Sequence, residues 1–121
     1  MYQEKGQKEK AIYHLETAIG IASRFKWHNE LFWGHFNLAQ LFLDEDEIAE
    51  ANTHVEQAKL HAVNNAYLLG RAMETQARIW QRQRRHEDAE PELSRALEIL
   101  ESLGAAHDAK RCRDLLRTWN E

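Results

Sequence analysis

Histidine is the residue type in this chain that most readily suggests metal binding or proton transfer, and the sequence contains seven histidines. Zinc sites built on one helix place two histidines four residues apart, as in H-E-x-x-H. His28 and His35 are instead seven residues apart, as are His54 and His61, which separates each pair by about 10 Å along a helix axis. We therefore predict surface or half-buried histidines and no metal site.

Two other groups of side chains could be reactive. Cys112 is predicted to lie on the packing face of the last helix as a buried thiol, since a nucleophile needs an electropositive, accessible setting. The acidic run at 44–47 is predicted to complement the dipole at the start of a helix. The sequence contains no glycine-rich phosphate loop and no G-x-S-x-G or H-E-x-x-H pattern. We therefore predict no catalytic residue, no cofactor and no enzyme activity.

The elements that carry these residues are predicted to be helices. Of the 121 residues, 43% are apolar and 30% are charged, which is the composition of a soluble globular domain. Strong helix formers dominate, while hairpin turns and alternating runs of β-branched residues are missing from the sequence. The fold class is therefore predicted to be all-α.

Charge and hydropathy restrict the location and the partners. The formal net charge of −4 argues against general binding to nucleic acid or to an anionic membrane, and the basic run at 82–85 is interpreted as charge at a helix C-terminus. No apolar run reaches the roughly 18 residues of a membrane span, and the first residues lack the apolar core of a signal peptide. We expect a soluble cytoplasmic protein.

A short frame recurs three times along the chain: an alanine, an apolar residue four positions later, and an alanine three positions after that. Successive copies are offset by 40 and 38 residues, and a large aromatic residue stands nine positions ahead of each leading alanine. The frames are Ala11–Leu15–Ala18, Ala51–Val55–Ala58 and Ala89–Leu93–Ala96, and the aromatic residues are Tyr2, Phe42 and Trp80. Recurrence at this period predicts stacked helix pairs, because one pair cannot bury its apolar stripe without a neighbour.

This frame resembles the tetratricopeptide repeat, whose pattern runs W-x2-L-G-x2-Y, then A-x3-F, then P. The resemblance covers nearly the whole chain, with Ala in place of Gly, without the first Trp and the final Pro, and with units longer than the usual 34 residues. The segment at 95–116 is also similar to the repeat arrays appended to signal-transduction NTPases of the NACHT and NB-ARC type. The resemblance implies an α-solenoid of antiparallel helix pairs.

The repeat register divides the chain, as a single domain, into units at about 1–29, 30–65 and 66–104, followed by a capping helix at 105–121. Helices are predicted near 7–26, 30–43, 46–63, 66–84, 87–103 and 106–119, after the remnant of an earlier helix at 1–5. Because the chain enters halfway through a repeat, we expect a fragment or a truncated array. Pro91 is predicted to mark the first turn of its helix, where a missing N–H costs little.

The resemblance also implies where a partner binds, since the first helix of each pair lines the concave surface of the array. The matching positions are Trp33, Phe36, Asn37, Gln40, Leu43, Arg71, Glu74, Thr75, Arg78, Gln81, Arg82, Lys110, Asp114 and Arg117. Of these, the residues predicted to bind the partner are Trp33, Phe36, Asn37, Gln40, Leu43, Arg71, Arg78, Arg82, Lys110 and Arg117. Aromatic residues at one end and cations at the other predict a groove for an acidic or amphipathic peptide or helix of another protein. The alternative is that these charges only solvate helix faces.

A second hypothesis assigns the chain no ligand and makes it a structural, self-associating piece of a larger array. The apolar side chains that would lack a partner in the truncated first unit are Ala11, Ile12, Leu15, Ile19 and Ala22. Contiguous apolar surface of this kind usually finds a partner. We therefore expect a homodimer through this N-terminal end.

Overall fold

The computed structural model describes residues 2–120, and their side chains from Gly6 onward. Its helices are α1 (Tyr2–Phe25), α2 (His28–Asp44), α3 (Ile48–His61), α4 (Ala66–Arg82), α5 (His86–Ser102) and α6 (Ala106–Trp119). No strand occurs within these residues, so the all-α prediction is confirmed. None of the helices described combines the length and the apolar character that a membrane span requires.

The helices fall into two compact units, Met1–His61 and Ala62–Glu121. In the first unit α2 packs against α1 and α3, and in the second unit α5 packs against α4 and α6. Helices that are adjacent in the sequence are therefore neighbours within each unit, which is the packing of a helical-repeat solenoid.

The predicted ends of α2 to α6 lie within two residues of the observed ends, but the start of the chain differs from the prediction. We predicted a helical remnant at 1–5 followed by a separate helix, whereas α1 is continuous through Gly6. A glycine inside a helix costs only about 1 kcal/mol relative to alanine, and the strong helix formers on both sides of Gly6 outweigh it.

The small residues of the repeat frame form the core of both units. Ala51, Val55 and Ala58 are fully buried in α3, and the same is true of Ala89, Leu93 and Ala96 in α5. The first copy of the frame differs, since Ala11 and Leu15 are half-buried and Ala18 is exposed. Of the aromatic residues that precede the three copies, Tyr2 has a side chain outside the described residues, and Phe42 and Trp80 are half-buried.

The turns between the helices repeat one geometry. Each contains one residue with a positive φ angle, and these residues are Lys26, Asp46, Asn64, Arg84 and Gly104. In four of the turns the next backbone N–H donates to the carbonyl five residues earlier, as Arg85 does to Trp80 at 2.8 Å and Ala105 to Leu100 at 2.9 Å. This is the hydrogen bond of a Schellman helix end. Four of the five turns therefore end their helices in the same way.

Pro91 does not mark the first turn of its helix, contrary to the prediction. Helix α5 begins at His86, so Pro91 is its sixth residue and lies in the second turn. The early start is fixed by Arg85, whose carbonyl accepts from the N–H groups of Asp88 (3.1 Å) and Ala89 (2.9 Å). The pyrrolidine ring therefore removes one hydrogen bond that the helix would otherwise form, to the carbonyl of Glu87.

The acidic run at 44–47 also lies differently from its prediction. Asp44 ends α2, and Asp46 has a left-handed backbone with φ of 61° in the turn that follows. Since α3 begins only at Ile48, the acidic residue in its first turn is Glu50.

Candidate functional site: a basic helix face and a histidine cluster

A buried ion pair joins α4 to α6 in the second unit. The Glu74 side chain on α4 is only 4% exposed, and the Arg111 guanidinium on α6 donates to both of its oxygens, from Nε at 2.6 Å and from Nη2 at 2.7 Å. The same Nη2 donates to Asp108 Oδ1 at 2.7 Å. These hydrogen bonds, those of Glu74 first, raise the pKa of Arg111 above its usual range. The bidentate geometry fixes α6 at one register against α4.

Tyr67 and Arg71 extend this network along α4. The Tyr67 hydroxyl donates to Asp108 Oδ2 at 2.9 Å and accepts from Arg71 Nη1 at 3.0 Å. Burial by itself raises the pKa of Asp108, but the hydrogen bonds from Arg111 and Tyr67 outweigh it and hold that pKa below the ordinary value. Asp108 therefore remains an anion that anchors two helices.

The remaining cations predicted for the groove lie on the same two helices. Arg78 is half-buried and makes no hydrogen bond or ion pair with any residue that the structure describes. Arg82 is exposed in the last turn of α4. On α6, Lys110 and Arg117 are both exposed and share Asp114, at 3.2 and 3.1 Å.

We call this surface the α4–α6 face. Its cations are Arg71, Arg78, Arg82, Lys110, Arg111 and Arg117, and its carboxylates are Glu74, Asp108 and Asp114. Where α6 contributes to this face, a depression is lined by His107, Lys110, Arg111, Asp114, Leu115 and Thr118. The excess of cations makes this face positive on a chain whose net charge is negative.

The positions predicted on α2 divide into buried and accessible side chains. Phe36 and Leu43 are 4% and 1% exposed, so they serve packing and offer no surface to a partner in this conformation. Trp33 is half-buried, with its ring edge-on to Phe32 and to Phe36 at centroid distances of 5.0 and 5.5 Å. Asn37 is exposed and Gln40 is half-buried. The accessible part of the predicted α2 site is therefore more polar than its sequence indicated.

Four histidines of the first unit meet between α2 and α3, which sequence analysis did not predict. Nδ1 of His35 lies 3.0 Å from Nδ1 of His54, and Nδ1 of His28 lies 3.0 Å from Nδ1 of His61. The rings of His35 and His61 are parallel at a centroid distance of 6.1 Å, and Phe42 stacks on His54 at 5.6 Å. We call these four residues the histidine cluster.

The pattern that could have revealed the cluster is a midpoint in the sequence that both pairs share. The midpoint of His35 and His54 and that of His28 and His61 both fall between Asp44 and Glu45, where α2 ends. Antiparallel helices bring such positions opposite each other. The repeated spacing of seven, which argued against a site on one helix, is what aligns the histidines of two helices.

Burial has the largest effect on the pKa values of His35, His54 and His61. It lowers the pKa of His35 to about 4, with further lowering by the charges that His54 and His61 would carry. The pKa values of His54 and His61 are also lowered, again mainly by burial. Within the described residues, His, Cys, Asp and Glu side chains form no group of three or more able to hold a metal ion.

Cys112 is buried, as predicted. Burial raises the pKa of its thiol to about 12, so the reactive thiolate is scarce at neutral pH. Arg111, adjacent in sequence, points to Glu74 and belongs to the site that sequence analysis missed. The signal available was Glu74, the one carboxylate on the otherwise basic helix α4.

Comparisons of the chain with protein-family models, with curated proteins and with solved structures find no match.

Proposed function

We propose that this chain is a non-catalytic protein-interaction module of the tetratricopeptide-repeat kind that works in the cytoplasm. Its α4–α6 face binds an acidic or amphipathic segment of another protein. The observation that carries the proposal is the excess of cations over carboxylates on this face, combined with the buried Glu74–Arg111 pair that holds the two helices in place.

The energetics of the face favour binding at Arg78. Arg71, Lys110 and Arg117 already have carboxylates within 4 Å, so a partner's acidic group gains little by displacing them. Arg78 has no such partner in the described part of the chain, and its half-buried position limits screening by solvent. A carboxylate that pairs with its planar guanidinium in a fork adds direction as well as attraction.

The accessible residues of α2 give the first unit a candidate contact of its own. Trp33 contributes a flat apolar surface of the type common in interaction hot spots, and Asn37 contributes an exposed amide. On this proposal Trp33 mainly sets the residence time of a segment bound at α2. The cations of the α4–α6 face mainly set the association rate and its sensitivity to salt.

The test uses a fluorescein-labelled amphipathic peptide rich in Glu and Leu, with binding followed by anisotropy at low and high salt. Arg78→Glu with Arg82→Glu is expected to weaken binding strongly, and Trp33→Ala to raise the off-rate. Arg95→Glu is the matched control, because Arg95 is exposed on α5 and its reversal changes the net charge equally per site. Loss of binding on Glu92→Lys or Arg95→Glu, with none on Arg78→Glu and Arg82→Glu, would contradict the proposal.

Self-association is the second candidate function, and the exposed apolar residues of α1 favour it. Tyr13, Ile21 and Phe25 are 67%, 50% and 61% exposed, and Phe25 stacks on Trp27 at 5.1 Å. The apolar face predicted for this role lies differently, because Ala22 is buried and Ile19 packs beside Gly34 of α2. A dimer would therefore use Tyr13, Ile21 and Phe25. Sedimentation of the chain and of Phe25→Ser over a range of concentrations tests this candidate, since a strict monomer at high concentration would exclude it.

A further inference from the structure

The histidine cluster places titratable rings in contact at the seam between two packed helices. Each of its two close contacts joins ring nitrogens of the same kind, Nδ1 to Nδ1 at 3.0 Å. A hydrogen bond at that distance requires one nitrogen to donate and the other to accept, so at least one ring of each pair must be neutral. A second proton on either pair turns the acceptor into a donor, and two N–H groups then face each other.

We propose that the histidine cluster is an acid-sensitive latch between α2 and α3, closed when each pair has a neutral ring and opened by protonation. The latch spans the seam from His28, the first residue of α2, to His61, the last residue of α3. Opening it separates helices whose shared core contains the fully buried Leu38, Val55 and Ala58. The proposal concerns the first unit and does not depend on partner binding.

The charged groups around the cluster only partly offset the cost of protonation. The carboxylates of Glu16 on α1 and Glu50 on α3 act on His54 and favour its charged form. On His35 the neighbouring charges are those of His54 and His61, which disfavour its charged form, as does burial. The Phe42 ring stacks on the His54 ring and provides no hydrogen-bond acceptor for a protonated His54. The pair of His35 and His54 is therefore the inner and more acid-sensitive half of the latch.

The direction of the pH effect follows from proton uptake. An unfolded histidine binds a proton near pH 6.5, whereas folded His35 does so only near pH 4. Between these values the unfolded state holds more protons than the folded state, so the free energy of unfolding falls as the pH is lowered. The stabilisation is fully present above about pH 6.5 and is lost progressively below it.

The experiment measures urea unfolding of the full chain between about pH 7 and pH 4.5, together with NMR titration of the histidine ring protons. The test variant is His35→Gln with His54→Gln, which keeps hydrogen-bonding groups that do not titrate. The control is His14→Gln with His107→Gln, which removes two exposed histidines outside the cluster. Over this range the unfolding constant of the wild type and of the control is expected to rise at least about tenfold more than that of the test variant.

Equal pH dependence in all three proteins would overturn the proposal. If the test variant does not fold, the wild-type titration decides: two or more ring resonances that titrate below about pH 5.5 support the latch. Titration of every histidine near pH 6.5 overturns it. Amide exchange followed residue by residue locates the effect, which must lie in α2 and α3 and spare α5 and α6.

Discussion

Arg111 on α6 presents two nitrogens to the two carboxylate oxygens of Glu74 on α4, at 2.6 and 2.7 Å, although the residues are 37 positions apart. The Glu74 side chain in this pair is almost fully enclosed by protein. It sets the spacing of the two helices whose cations form the α4–α6 face. Stability and proposed function therefore depend on the same pair.

Removal of the guanidinium should destabilise the second unit markedly. Arg111→Met leaves the buried Glu74 carboxylate without its bidentate partner, and we expect a loss of roughly 2–4 kcal/mol in the free energy of unfolding. This expected loss is smaller than the loss on breaking a fully buried ion pair, because the Arg111 side chain is 35% exposed. Urea unfolding measures the loss, with Arg113→Met as control, since exposed Arg113 contacts exposed Glu101 at 3.4 Å and should contribute less than about 1 kcal/mol.

The double substitution of Arg111→Met and Glu74→Gln distinguishes the pair from simple packing. With both charges removed no buried ion remains unpaired, so part of the lost stability should return. If the double variant is as unstable as the sum of the single variants, the two side chains are not coupled.

Two glycines on neighbouring helices should respond in opposite directions to alanine. A Cβ built at Gly34 of α2 would lie 2.6 Å from Cγ1 of Ile19 on α1, so Gly34→Ala must displace that helix contact. We expect a loss of about 1–3 kcal/mol from overpacking. Gly20 of α1 has nothing within 4 Å of the same position, so Gly20→Ala should add up to about 1 kcal/mol through helix propensity. Thermal unfolding of the two variants in parallel is the measurement, and a stabilised Gly34→Ala would contradict the packing.

The turn after α4 should be improved by a glycine. Arg84 has a φ of 60°, a conformation that costs a residue with a Cβ about 1 kcal/mol. Arg84→Gly is therefore expected to stabilise the chain by about 0.5–1 kcal/mol. The reverse change, Gly104→Ala, removes the glycine from an equivalent turn with a φ of 74° and should destabilise by a similar amount. Chemical denaturation of both variants checks the pair, and effects of the same sign would refute it.

The helices could be predicted from the sequence because they depend on local spacing. Apolar residues three and four apart located α2 to α6, and the alanine frame identified the core of α3 and α5. The spacing of Trp33, Phe36 and Leu43 does not determine which of them the neighbouring helices cover, and two of the three are buried.

The candidate sites depended on contacts between distant positions and were predicted poorly. The Glu74–Arg111 pair requires the register of α6 on α4, which no local pattern contains. The histidine pairs were within reach, because the midpoint that they share at the end of α2 is visible in the sequence once the helices are taken as antiparallel. The prediction for Pro91 was wrong because α5 already begins at His86, five residues before the proline.

The common turn has a consequence for how the chain can change in length. Lys26 and Asp46 in the first unit, and Arg84 and Gly104 in the second, combine a positive φ angle with the same hydrogen bond, so successive helices within each unit are joined by equivalent turns. The segment 65–104, for example, follows Asn64 and ends at Gly104, and both of these residues have a positive φ angle. We call such a segment of two helices a cassette. Duplication or excision of a whole cassette preserves the junctions on either side, whereas a cut in the middle of a helix does not. We therefore expect the chain to accept gain or loss of sequence best in steps of two helices.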